Sequence, residues 1–396
     1  MKKLKQTNWL LTILFSLFLF SCSQNNEIGN SNIQSSKYFV KLSEAKTIAD
    51  NLSFPVNDKT LKAKGINYTS KNVKNINEIK NENGVNSFYV INFEEGGYII
   101  LSADKRIPPI LGYSDTNTFN INESQYPDGL KFWMNDTKKQ VTDIQNSNIE
   151  QSENEKKVWE SIQVNGLSYR VPPESCYEHT DIYTKGPLLS SLWYQSDGFN
   201  SALPTITCNG FTFQVYAGCV PIAMAQVMKY YQYPTNYNWS SMPLTYATST
   251  TANFIKDIWD AIGAVYGSSQ PSYDCDVTGV STSNDMSTVL KTQFNYTSAN
   301  STAYDRDVVK NNIEANRPII LSGNDGLYTI GHMWVCDGYR ITTYYFADCT
   351  GVGYFHFHMN WGWGTGYNGW YTADVYNSIN IPHYNQNKEI IYNIIP

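Results

Sequence analysis

The pattern of apolar and polar positions divides the chain into unlike parts. Lys2, Lys3 and Lys5 precede a mostly apolar run from Trp9 to Phe20, which ends at Ser21-Cys22. About a dozen apolar residues are too few to span a bilayer as a helix and suit the core of an export signal. A polar stretch, 23–36, follows. Leu42, Ala45, Ile48 and Ala49 then recur at helical spacing behind the cap candidate Ser43. Segments 87–93 and 98–102 flank Glu94-Glu95-Gly96-Gly97 as the arms of a hairpin. Pro127-Asp128-Gly129 reads as a turn or helix entry, and 130–144 and 153–162 predict helices. Residues 38–165 therefore predict a small α+β unit, with no His before His179 and no nucleophile–base pair.

Farther on, Ala217-Gly218-Cys219-Val220-Pro221 leads into a run to Tyr231 that is apolar nearly all round. Such a run predicts a buried central helix that stops before Pro234, with Cys219 at its N-terminus. Segments 317–322 and 331–339 predict an antiparallel pair, the second placing His332, Trp334 and Cys336 on one face. Pro172, Pro173 and Pro187 among polar residues mark 171–187 as an exposed linker and a site for cleavage.

Charge sharpens this division. Residues 1–185 hold 21 basic and 21 acidic side chains, whereas 186–396 hold 8 and 14, so the whole net charge of −6 lies in the second part. Seven of the ten Trp lie there too. With 14% aromatic and 16% charged residues, the chain has enough apolar surface to order itself. Its mild acidity excludes nucleic acid as the main partner, since phosphate binding needs a concentrated basic face.

Chemistry concentrates in the second part. A thiol at a helix N-terminus is favoured as thiolate by unpaired N–H groups and the helix dipole, although a buried structural Cys is the competing reading. The base must come from five His, and His332, opening a strand after Gly331, is the candidate. Asn360 is placed to fix the tautomer of a catalytic His, with Trp361 shielding that bond from water. Gln195 is placed to donate to an oxyanion beside the Cys219 N–H. His356 and His358 suggest zinc, but no second ligand pair at suitable spacing accompanies them, and an aromatic-rich sheet is preferred. Setting aside Cys22 and Cys219 leaves Cys176, Cys208, Cys275, Cys336 and Cys349. That odd number allows at most two disulfides and leaves at least one thiol.

Together these segments resemble the streptopain-like cysteine peptidases of the papain clan. The resemblance rests on Gly218-Cys219-Val220 with 225–230, on Gly331-His332 with Asp337-Gly338, on 358–364, and on Gln195 with Phe199-Asn200. Residues 98–104 and 108–115 are similar to that family's inhibitory propeptide. The resemblance implies that Cys219 is the nucleophile, His332 the base and then acid, and Gln195 an oxyanion donor. It also implies that Asn360 and Trp361 support the His, either one orienting it. An α+β papain-like catalytic domain is implied, with a central helix packed on an antiparallel sheet, preceded by a small α+β propeptide domain. Protein or peptide substrates, self-cleavage, a preference for an apolar residue two before the scissile bond, and no cofactor or metal are implied as well. The extra Cys and the Ser-rich loop 267–285 depart from the family.

The expected organisation is a signal peptide of lipoprotein type over 1–22, with Cys22 as the lipid attachment, and a polar tether over 23–37. The propeptide follows over 38–170, the linker or cleavage region over 171–187 and the catalytic domain over 188–396. The expected activity is that of an exported cysteine endopeptidase made as a zymogen, inhibited by its own propeptide and touching membrane only through the lipid. A Cys–His cell-wall amidase or peptidoglycan endopeptidase, and a non-catalytic surface binding module, are the competing readings.

Overall fold

The computed structural model describes residues 33–34, 36–55, 68–165, 178–281, 283–323, 332–372 and 388–396. The signal segment with Cys22, most of the tether, Gly331, Cys176 and residues 166–177 lie outside them. The N-terminal unit runs α1 (Leu42–Asn51), β1 (Ser53–Pro55), β2 (Tyr68–Ser70), β3 (Val73–Lys80), β4 (Asn86–Phe93), β5 (Tyr98–Ser102), β6 (Ile110–Ser114), α2 (Asp128–Gln145) and α3 (Glu153–Asn165). The expected hairpin is present, with Ile91 opposite Ile99. The expected cap Ser43 falls inside α1, whose N-cap is Lys41.

The second part runs β7 (His179–Lys185), β8 (Thr205–Cys208), β9 (Phe211–Gln214), α4 (Cys219–Tyr231), α5 (Ser249–Tyr266), β10 (Ser272–Tyr273), β11 (Thr278–Gly279), α6 (Met286–Phe294) and β12 (Ser298–Ala303). It continues with α7 (Arg306–Glu314), β13 (Ile319–Gly323), β14 (His332–Tyr345), β15 (Gly351–Asn360), β16 (Gly369–Thr372) and β17 (Lys388–Ile395). The fold is α+β as expected, with a central helix against an antiparallel sheet.

Two features differ from the sequence expectation. The two parts share one sheet, in the order β12-β17-β13-β14-β15-β16-β6-β5-β4-β3. The join is antiparallel, Tyr113 facing Trp370 and Gly112 facing Tyr371, and it removes an open edge from each half. Segment 179–185, expected in an exposed linker, is strand β7, paired with β14 from Lys185–Tyr339 to His179–Tyr345. Its polar side chains conceal a backbone paired along its length with β14.

Strand alternation sorts the core. Ile320, Val335 and Ile391 face the cluster built by α4, α5 and α6. Their neighbours Ile319, Leu321, Trp334, Cys336 and Ile390 face the opposite cluster, which α2 and α7 complete. A disulfide joins Cys208 on β8 to Cys275 in the β10–β11 turn, and Cys349 is also disulfide-bonded. Cys336, free and fully buried, is a leftover thiol, held far above its ordinary pKa by burial.

Candidate active site

Helix α4 starts at Cys219 because Gly218 turns the chain with φ of +84°, a conformation that side chains resist. Space demands glycine there as well, since a Cβ at 218 would lie 3.0 Å from Thr278 Cγ2. Every residue from Cys219 to Met228 is buried, so the helix is fixed on all sides. Cys219 Sγ accepts the Met333 N–H at 3.4 Å, which brings the nucleophile candidate to the His332 end of β14. Burial pushes the thiol up to about 11, and the Asp128 carboxylate adds to the rise against backbone N–H groups that lower it. The lowered thiol pKa expected at a helix N-terminus is thus absent in this covered state, where desolvation outweighs the helix end.

The cover is α2. Its first residue, Asp128, places Oδ2 3.7 Å from His332 Nδ1. The next, Gly129, lies so close to Trp334 and Trp361 that a Cβ would sit 2.9 Å from each ring. Phe132 packs on Gly323 and lies 6.0 Å from Trp334, centroid to centroid. Trp133 Nε1 donates to the Thr372 carbonyl, and Lys388 reaches Asp136 at 2.7 Å. Sequence reasoning noticed Pro127-Asp128-Gly129 only as a turn or helix entry. A carboxylate beside the thiol and imidazole is a tertiary fact.

Gln195 is 5% exposed, and its carbonyl accepts the Ala217 N–H at 2.8 Å, just ahead of Cys219. Its side-chain Nε2 is buried without a hydrogen-bond partner among the described residues. A buried donor left unsatisfied costs about 1–3 kcal/mol, a cost that an arriving acceptor would offset.

Asn360 does not take the orienting role expected of it. Its Oδ1 accepts from Gln226 Nε2 and Gly362 N, each at 3.1 Å, and its Nδ2 donates to Ser191 O at 2.9 Å and Gln226 Oε1 at 3.2 Å. The amide has no capacity left for an imidazole. Trp361 spends its indole N–H on the Tyr367 carbonyl and packs its ring on Trp334. In this arrangement neither residue orients His332 by a side-chain hydrogen bond.

His356 and His358 take separate partners. His356 Nε2 pairs with the Ile110 carbonyl, and burial pushes its pKa down to about 4, so the ring is neutral and Nε2 donates. His358 Nδ1 lies 2.6 Å from Asp337 Oδ1. Among the described residues, no three His, Cys, Asp or Glu side chains are grouped to hold a metal.

Comparison with known proteins accords with this geometry. Residues 36–141 match the Spi protease inhibitor family and residues 193–236 and 235–371 match the Peptidase C10 family. The chain is 24% identical over 287 residues to the thiol protease/hemagglutinin PrtT of Porphyromonas gingivalis, a match covering 64% of this chain and 31% of that protein. It is 25% identical over 308 residues to streptopain of Streptococcus pyogenes, covering 64% of this chain and 68% of that one. A Cys-to-Ala variant of prointerpain A from Prevotella intermedia shares the fold, with a TM-score of 0.56 and 21% identity over 81% of this chain and 99% of that one. Residues 193–371 are thus a cysteine peptidase segment of the Peptidase C10 family, and an inhibitor-type propeptide segment lies ahead of it.

Proposed function

We propose that this chain is the precursor of an exported cysteine endopeptidase, held inactive by its own N-terminal segment until that segment is cleaved away. The observation that carries the reading is the meeting of two helix starts, Cys219 on α4 and Asp128 on α2, at the His332 end of β14. With α2 in place, the thiol is desolvated and the imidazole faces a carboxylate. With α2 gone, water and substrate reach both. The Cys219 thiolate then attacks the peptide carbonyl, while Gln195 Nε2 and the Cys219 N–H hold the oxyanion. His332 protonates the leaving amine and afterwards activates water to release the acyl-enzyme. Export is read from residues 1–22, and a lipid on Cys22 would anchor the precursor by the segment later removed.

Expression of the full chain beside Cys219→Ala tests this. The wild-type chain should shorten from 45.0 kDa while the variant stays whole. Equal shortening of both would refute self-processing. Digestion of casein and purified peptidoglycan in parallel separates the peptidase from a wall amidase, and activity on the wall alone would refute the present reading.

A further inference from the structure

One buried polar cluster beside the site has no part in the chemistry above. Gln226 lies about two turns beyond Cys219 on α4 and is wholly buried. It exchanges two amide hydrogen bonds with Asn360, at 3.1 and 3.2 Å. Both side chains then grip the segment that leads to Gln195. Asn360 Nδ2 donates to the Ser191 carbonyl at 2.9 Å, and Gln226 Oε1 accepts from Ser191 Oγ and Trp193 N, each at 3.2 Å. One step upstream, Asp337 is 1% exposed and accepts the Leu189 N–H at 2.9 Å while its other oxygen holds His358.

Residues 188–195 belong to no helix or strand, so no ladder fixes their path. Buried backbone groups in such a segment must find partners elsewhere, and side chains of α4, β14 and β15 supply several of them, beside backbone bonds such as Leu192 N–H to the Leu244 carbonyl. Trp193 and Gln195 are two residues apart, a reach of at most about 7 Å. Slack at Trp193 N therefore passes directly to the Gln195 amide. That amide is buried next to the Cys219 helix entry, its Nε2 without a partner among the described residues.

We infer that the Gln226–Asn360 pair is the positioning device of the oxyanion site. Asn360 acts through Gln195 rather than through His332. A neutral amide pair suits the task, because it fixes backbone in a dry interior without placing a charge near the thiolate. The inference rests on the reading of Cys219, His332 and Gln195 given under the proposed function.

The test compares Asn360→Asp, which loses both donations of Nδ2, with Gln226→Glu, which loses only the donation to Asn360. Each full chain is matured by tagged wild-type enzyme, which is then removed. Four quantities are measured: kcat and KM on a peptide, inhibition by a peptide aldehyde, and the pH profile of Cys219 alkylation by iodoacetamide. The aldehyde adduct forms an oxyanion, whereas alkylation forms none. For Asn360→Asp, kcat should fall about 10- to 100-fold, the scale of a catalytic donor displaced by about 1 Å, with KM little changed. Aldehyde binding should weaken by the same factor, and the alkylation profile should match that of Gln226→Glu, which adds the same charge to the pair. In a Gln195→Ala background, Asn360→Asp should cause no further loss.

An alkylation profile of Asn360→Asp shifted beyond that of Gln226→Glu would overturn the inference, since Asn360 would then act through His332. Unaltered aldehyde binding beside a lowered kcat, or a full additional loss in the Gln195→Ala background, would overturn it as well. If Asn360→Asp fails to fold, Gln226→Glu decides by kcat, aldehyde binding and the Gln195→Ala background, since it keeps the oxygen that accepts from Ser191 and Trp193. A matured wild-type enzyme that cleaves no peptide would defeat the underlying reading before any variant is compared.

Discussion

Two helices bring their N-termini to the same place and are built in opposite ways. Helix α4 is buried from Cys219 to Met228 and carries no acid in its first turn. Helix α2 buries only a stripe, including Leu130, Trp133, Met134, Val141 and Ile144, and opens with Asp128. A helix enclosed on all sides cannot leave without unfolding its domain. One held by a stripe, a few rings and the Asp136–Lys388 pair can be peeled away once its chain is cut. Burial pattern thus separates a helix enclosed in its domain from one held along a single face, although both reach the candidate pair Cys219 and His332.

That contrast can be broken in several ways. The largest effect is expected from Cys219→Ala, which should abolish self-processing and peptide hydrolysis and leave the cover in place; residual processing on a gel would mean that α4 does not supply the chemistry. Met224→Ala, in the fully buried part of α4, should cost about 2–5 kcal/mol. It should lower the melting temperature of the full-length and matured forms alike, and calorimetry showing loss in one form only would contradict the permanence of α4.

The junction between the halves should respond to acid through His356. Its folded pKa of about 4 lies below the ordinary 6.5, so the folded state favours the neutral ring. The associated stability, about 3 kcal/mol, is full above pH 6.5 and is lost as pH falls towards and through 4. Melting of the Cys219→Ala chain from pH 7 to 4 should show this decline, and His356→Gln should flatten it.

Smaller still, Gly129→Val should crowd Trp334 and Trp361 at a cost of about 1–3 kcal/mol. It should speed maturation and destabilise only the covered form, as time-course gels and melting curves would show. Asp128→Asn should have the least effect, because burial, the larger cause of the raised Cys219 pKa, stays in place. Alkylation of Cys219 in the unprocessed chain should begin at slightly lower pH; a profile identical to the parent's would remove Asp128 from the latency mechanism.

The elements bearing the chemistry were legible because their patterns are local. An apolar run after Gly218-Cys219 becomes α4, and alternation from His332 becomes the first half of β14. Less legible were the ends and the joins. Segment 179–185 looked like a linker because its side chains are polar, yet its backbone pairs with β14. Asn360 looked like a partner of His332 because an amide near a His suits that task. Its register on β15 instead aims it at Gln226, and hydrogen-bonding capacity spent there is unavailable elsewhere.

By itself the sequence determined which residues are candidates for the chemistry, where the central helix begins, and that a charge-rich first part precedes an aromatic-rich second one. Spacing, glycine positions and composition suffice for that, because they act over a few residues. Only the tertiary structure decided that one sheet runs through both parts, that Asp128 meets His332, and that Gln226 and Asn360 close on the path to Gln195. Those contacts join residues more than a hundred positions apart, from Gln226 to Asn360 and from Asp128 to His332. No periodicity encodes such pairs; they exist only where packing brings separate faces together and burial forces each polar group to find a partner.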